Sequence, residues 1–330
     1  MYKYILLTLS VLCFASCSND VAPTDKDTAW RPDTSQVEIT IDGTMLPGGT
    51  LNSFMPVGSA VKGDTLFVID RERKSDRYQL HAFSIKNKKH IRTLSEWQYK
   101  EKSYFFDDMI TAVAVSDKYV YVGTRNSKIE VFDVQTLNFV TRIGDGNWGN
   151  STYRMVHVFA LAFSNGQLFV RDKERIVVYN EQDITPEDFQ RIPRYSYSET
   201  LGYNTNFNTY DAAVAKNGTV YFTDYEKRAV QVVDPATIKE MKAFAPVQVF
   251  DMKERKPKGI ALHGDNMYVS FERMGVLPQV MRFDATSGTL TADVGEMYNL
   301  VFGQAEQLDV KRNSLFINDA GKRVVRSLAL

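Results

Sequence analysis

The sequence predicts an all-β fold: a six-bladed β-propeller closed by an N-terminal strand that pairs with the C-terminal blade. Three observations predict it. A strand-like segment with an aromatic near its middle recurs six times, at residues 64–70, 118–124, 166–172, 218–224, 265–271 and 313–319. The aligned aromatics are Phe67, Tyr121, Phe169, Tyr221, Tyr268 and Phe316. They are spaced by about fifty residues, the period of one propeller blade per repeat. Second, short runs of small apolar residues precede several of these segments, as at 111–115, 159–163, 211–215 and 259–262. Small side chains suit the inner strand of each blade, because inner strands crowd at the axis. Third, the last repeat is one strand short, and residues 37–41 offer a strand in which Val37, Ile39 and Ile41 alternate with Glu38 and Thr40. Pairing that strand with residues 323–328 closes the ring and hides two sheet edges.

The first sixteen residues read as a targeting segment. Lys3 supplies a positive charge, and an apolar stretch to Ala15 ends in Phe14-Ala15-Ser16-Cys17. That stretch is too short to span a bilayer comfortably. Small residues before Cys17 resemble a bacterial lipobox, in which the cysteine is lipidated and becomes the first mature residue. An ordinary secretory signal cut nearby is the alternative. The chain has only two cysteines, Cys13 and Cys17, so lipidation of Cys17 would leave no thiol and no disulfide in the ring. Residues 17–36 are polar, carry Pro23 and Pro32 and lack periodicity, as a flexible tether would. The propeller is expected over residues 37–330.

The blades are expected at residues 58–94, 111–143, 158–192, 211–244 and 259–294, with the sixth shared between the termini. No later run is long and apolar enough for a membrane helix. Lysine plus arginine and aspartate plus glutamate number 40 each, so no charge excess points to nucleic acid.

Several repeats end their second strand in Asp and begin the third with a basic residue. Asp172 with Arg175, Asp224 with Arg228 and Asp319 with Arg323 fit this pattern. The first repeat, Asp70 and Arg77, is looser; the second has Thr124 and Lys128, and the fifth has Phe271 where Asp would stand. Recurrence of this kind argues for a structural tie in the loop between the two strands. With the lipobox, the chain resembles the TolB-like and NHL-like six-bladed propeller lipoproteins of the Bacteroidota. The resemblance implies a bacterial envelope protein anchored to the outer membrane by lipid, facing the periplasm or the cell surface. It implies little about activity, because propellers host many functions.

Loops entering the inner strands and loops leaving the second strands should share one face of the ring, the channel mouth. The entering loops supply Asp107, Asp108, Arg154, His157, Tyr210, Asp211, Lys258 and Glu306. They also supply aromatics on three adjacent blades, among them Trp97, Tyr104, Trp148 and Tyr203. An aromatic face beside amides and hydroxyls suits a sugar or a peptide. The expectation is therefore a non-catalytic propeller that binds a glycan, a peptide or an envelope protein through its mouth, with no cofactor or metal. About half of the aromatics are expected to fill gaps between blades instead. The alternative is a metal-dependent lactonase- or lyase-like enzyme, with Asp107 or Asp108, His157, Asp211 and Glu306 as ligands. No HExxH, His-x-His or Gly-x-Ser-x-Gly motif accompanies them. A scaffold that merely presents its loops to a protein partner is a third possibility.

Overall fold

The computed structural model describes residues 37–330 except 75–76, 145, 147–154, 173–174, 187–198, 204–208, 235–245, 273–274 and 276–278. The lipobox cysteine Cys17 and the tether lie outside the described residues, as do Trp148 and Arg154.

The chain begins with β1 (Val37–Asp42) and then builds five blades, each four antiparallel strands wound outward from the axis. Blade one is β2 (Pro56–Lys62), β3 (Thr65–Lys74), β4 (Arg77–Ser84) and β5 (Lys89–Leu94). A hairpin, β6 (Glu96–Tyr99) and β7 (Lys102–Phe105), leads to blade two. Blade two is β8 (Ile110–Val115), β9 (Tyr119–Thr124), β10 (Lys128–Asp133) and β11 (Phe139–Ile143). Blade three is β12 (Val158–Ser164), β13 (Gln167–Asp172), β14 (Arg175–Asn180) and β15 (Glu199–Tyr203). Blade four is β16 (Thr209–Val214), β17 (Val220–Asp224), β18 (Ala229–Val233) and β19 (Gln248–Asp251). Blade five is β20 (Pro257–His263), β21 (Asn266–Phe271), β22 (Val280–Asp284) and β23 (Leu290–Asp293), followed by the one-turn helix α1 (Val294–Tyr298). Blade six is β24 (Ala305–Lys311), β25 (Ser314–Asp319) and β26 (Val324–Ala329), completed by β1.

The terminal clasp is present. β1 runs antiparallel to β26, pairing Val37 with Leu328, Ile39 with Ser327, Ile41 with Val325 and Asp42 with Val324. Blades three and four differ from expectation in their outer strands, which come later, at Glu199–Tyr203 and Gln248–Asp251. An outer strand packs on few neighbours, so its residues need little apolar alternation, and Glu-Thr-Leu-Gly-Tyr carries almost none.

Hydrophobic clusters lie between adjacent blades. One joins Phe67, Ile69 and Leu80 of blade one to Val113, Val120 and Phe132 of blade two. Another joins Ile39, Ile41, Phe316 and Val325 of blade six to Val61, Val68 and Phe83 of blade one. Each blade is thus core to both neighbours, and the ring is one cooperative unit. The inner strands bear out the small-residue expectation. Opposite the repeated aromatics stand Ala60, Ala114, Ala162, Ala213 and Ala261, and only blade six departs, with Asp309 opposite Phe316.

Among the described residues no helix is long and apolar enough to cross a membrane.

Candidate functional site

The repeated Asp is a structural tie with a longer reach than the sequence implies. Asp70 Oδ1 accepts from the backbone N–H of Met55 at 2.8 Å. Asp172 Oδ1 accepts from Val156 and His157 at 2.7 and 3.0 Å. Asp319 Oδ1 accepts from Gly303 and Gln304 at 3.0 and 2.9 Å. In each case the carboxylate at the end of the second strand holds the loop that enters the inner strand of its own blade. Backbone bonds repeat the tie: Arg71 N–H to Met55 O, Arg125 N–H to Met109 O and Glu272 N–H to Lys256 O, each 2.9 Å. This fixes entering loops and second-strand ends side by side on one face.

On that face lies a cavity of about 230 Å³. All six blades contribute to it. Val57, Met109, Ile110, Val158 and Phe159 supply apolar wall, and Arg71, Arg125, His157, Tyr210, Lys258 and Glu306 supply polar groups. Of the twelve residues expected to bind ligand, His157, Tyr210, Lys258 and Glu306 therefore line one site. Arg71 and Arg125 were missed. Each directly follows the repeated second-strand segment, residues 64–70 and 118–124, although β3 itself runs on to Lys74, and that position was their available signal.

Lys258 Nζ lies 2.9 and 3.1 Å from the Glu306 carboxylate, and both side chains are largely buried. Gln304 Nε2 also donates to Glu306. Removing one member of such a buried pair strands the other charge. The His157 ring bonds through Nδ1 to the Arg125 carbonyl, which makes Nδ1 the donor, and its edge meets Phe159. Tyr210 is 41% exposed and packs on Tyr225 with ring centroids 4.8 Å apart. Burial pushes the Tyr210 hydroxyl up from its ordinary pKa, Glu226, Glu272 and Glu306 add to this, and Arg71 opposes it.

Gln307 floors the cavity. Its side-chain Nε2 donates to the carbonyls of Thr111 and Tyr210, both at 3.1 Å, so one amide from blade six bridges blades two and four across the axis. A Cβ on Gly58 would stand 2.0 Å from Gln307 Oε1, so any side chain there would push the Gln307 amide aside. Below Gln307 the channel widens to a second chamber of about 400 Å³, walled by all six inner strands.

Asp211 belongs to that lower chamber and not to the mouth. Its position in the inner strand matches Gln307, one level too deep, and its carboxylate accepts from the backbone N–H of Ala212 at 2.9 Å and of Ile260 in blade five at 3.0 Å. Asp107 and Asp108 line neither the mouth cavity nor the lower chamber. The Lys128 ammonium lies 2.8 Å from Asp107, and Arg125 lies 3.3 Å from Asp108. Burial pushes the Asp107 carboxyl up, but Lys128 and Asn126 outweigh it and leave it below its ordinary value. Among the described residues no three of His, Cys, Asp or Glu come together as a metal site.

Trp97 and Tyr104 are a correction to the aromatic rim. Trp97 is 6% exposed and belongs to the core between blades one and two. Its indole stacks on Tyr104 and on Phe139 with interplanar angles of 18° and 15°, and it meets Phe106 and Phe132 more steeply. The hairpin β6–β7 folds these aromatics inward because its apolar face has blade two to cover. Tyr203 lies in β15, the outer strand of blade three, away from the inner-strand residues of the mouth; its side chain is outside the described residues.

No family model matches the chain, and no curated protein matches it. Solved structures match it as a fold. The chain is similar to the structure of U3-55K, with 12% identity and a TM-score of 0.60 over 91% of this chain and 100% of that one. It is similar to the Pan2 WD40 domain of Neurospora crassa, at 10% identity and a TM-score of 0.58 over 88% of this chain and 93% of that one. The RRP9 WD40 repeats match at 12% identity with a TM-score of 0.56, over 84% of this chain and 94% of that one. At these identities the likeness is one of fold: this chain is a six-bladed β-propeller with WD40-like structural neighbours.

Proposed function

We propose that the chain is a lipid-anchored envelope protein whose ring binds a peptide, glycan or protein partner at the mouth face, without chemistry of its own. The observation that carries the binding role is the mouth cavity. Groups from six blades, far apart in sequence, converge there on an apolar wall with a polar rim, the composition of a ligand site. The lower chamber is walled by the small and aliphatic residues of the inner strands together with Asp211, Lys216, Asp309 and Lys311, without the exposed aromatic and guanidinium groups of the mouth. The anchor rests on the Phe14-Ala15-Ser16-Cys17 segment and the polar stretch after it. The repeated Asp and basic residues support kinship with NHL-like and TolB-like lipoprotein propellers.

Peptide and glycan arrays test the binding role. Tyr210→Ala, at the exposed rim, is expected to weaken whatever the wild-type ring binds by about tenfold, roughly 1.4 kcal/mol. Lys311→Ala, at the far end of the channel, is expected to leave it unchanged. The reverse pattern would place the site on the other face, and an array without signal would count against a mouth ligand of either class. For the anchor, Cys17→Ala is expected to abolish fatty-acid labelling and release the protein from membranes; labelling that persists would show another attachment.

A further inference from the structure

We propose that the mouth cavity receives a chain end: the free C-terminal carboxylate of a peptide whose last side chain is aliphatic or aromatic. The inference rests on the mouth reading above and adds the ligand's chemistry.

Charge is the first argument. Lys258 is matched by Glu306 within 3.1 Å. Arg125 is shared with Asp108 at 3.3 Å, but its side chain is 58% exposed. Arg71 is exposed, and its guanidinium has no hydrogen bond or ion pair among the described residues. The cavity therefore offers one unmatched guanidinium and a second that is half committed. A guanidinium binds a carboxylate as a fork, with two parallel donors, which a lone ammonium cannot do.

Size and lining narrow the choice. At about 230 Å³ the cavity is smaller than sites that enclose a whole drug-sized ligand, roughly 300–1,000 Å³. It suits one residue better than a row of sugar rings. Its wall is aliphatic apart from Phe159 and Tyr210, so it offers little flat aromatic surface for stacking sugars. An apolar wall beside a cation asks for a ligand with both characters in little space. A C-terminal residue has both, because its carboxylate and its side chain branch from one Cα. An internal Asp or Glu brings the charge without the apolar branch. Thr209 lines the same cavity with a buried hydroxyl that has no hydrogen-bond partner among the described residues, a further polar group for a bound main chain.

The test uses fluorescein-labelled hexapeptides with Gly-Ser bodies that end in Leu, Phe, Ser or Lys, each made as the free acid and as the C-terminal amide, with binding read by anisotropy. Free acids ending in Leu or Phe are expected to bind, and their amides to bind about tenfold more weakly or worse. Arg71→Ala is expected to erase the difference between acid and amide. Because Arg71 is exposed, its removal should leave the melting temperature unchanged. Added salt should weaken the acids more than the amides. Equal affinity for acid and amide, with binding still lost in Tyr210→Ala, would overturn the chain-end inference and leave the mouth reading standing. So would glycan binding at the mouth with no response to any peptide. Peptide binding indifferent to both Arg71→Ala and Tyr210→Ala would overturn both readings.

Discussion

Removing residues 1–42 is expected to unfold the ring, whereas removing residues 1–36 is expected to leave its unfolding midpoint unchanged. The six residues that separate the two truncations are β1. They form the outer strand of blade six and pair along β26 from Leu328 to Val324. Ile39 and Ile41 are 8% and 1% exposed, in the cluster that joins blade six to blade one through Phe54, Phe83, Phe316 and Val325. Truncating one buried Ile to Ala costs about 2–5 kcal/mol. Losing both, with a ladder of backbone bonds at about 0.5–1.5 kcal/mol each, rivals the roughly 5–15 kcal/mol that holds a whole domain. It also leaves β26 as an open edge, a template for aggregation. The milder variant Ile41→Ala should lower stability by about 3 kcal/mol. Urea denaturation followed by circular dichroism reads all three. Cooperative unfolding of the 1–42 truncation at the wild-type midpoint would show that the ring closes without its clasp.

The clasp was legible because it depends on two strong local signals, an alternating strand at one end and a repeat one strand short at the other. The blades were legible for a similar reason. Second strands are buried on both faces, so Phe67, Tyr121 and Phe316 sit in continuous apolar runs and are almost wholly buried. Outer strands have one packed face at most, and those of blades three and four were placed too early. The mouth was only half legible. Topology placed His157, Tyr210, Lys258 and Glu306 together, but side-chain direction decided the rest. Asp211 stands next to Tyr210 in sequence, yet alternation along the strand turns its carboxylate towards the neighbouring inner strands below the mouth. Trp97 reads as a rim aromatic by position in the loop. Its burial follows from the hairpin that carries it, whose pairing of Trp97 with Tyr104 the loop sequence did not announce. Gln307 carries no motif at all. Its role emerges only from the register that sets it level with Gly58 and Asp211.

That register leads to the second large effect, in which the stability of the ring falls as pH rises from about 4 to about 8 and Asp211→Asn removes most of the slope. Burial pushes the Asp211 carboxyl up to about 8, against the pull of backbone N–H groups from Ile260, Ala212 and Leu308, with the nearby Asp309 adding to the rise. Burial also raises Asp309, to about 6, although Asp309 is partly open to the chamber and is the weaker contributor. Lys216 and Lys311 line the same chamber. An unfolded aspartate titrates near 3.9. Between that value and the folded one, the folded ring keeps a proton that the unfolded chain has released, so raising the pH favours unfolding across this window and has no further effect above it. A shift of this size corresponds to about 6 kcal/mol at most, and relaxation of the ring around an ionised Asp211 reduces it to a few. Asparagine cannot ionise. It also offers one acceptor oxygen where the carboxyl offers two, so Asp211→Asn should be less stable than wild type at pH 5 by about 1–3 kcal/mol. As pH rises the wild type weakens and the variant does not, so the gap should close or reverse by about pH 8 and stay constant above it. Urea midpoints of both proteins at pH 5, 7 and 9 measure this, and taking their difference cancels the titration of groups far from the chamber. Parallel pH profiles would mean that Asp211 is already ionised in the folded ring, with its three backbone donors outweighing burial.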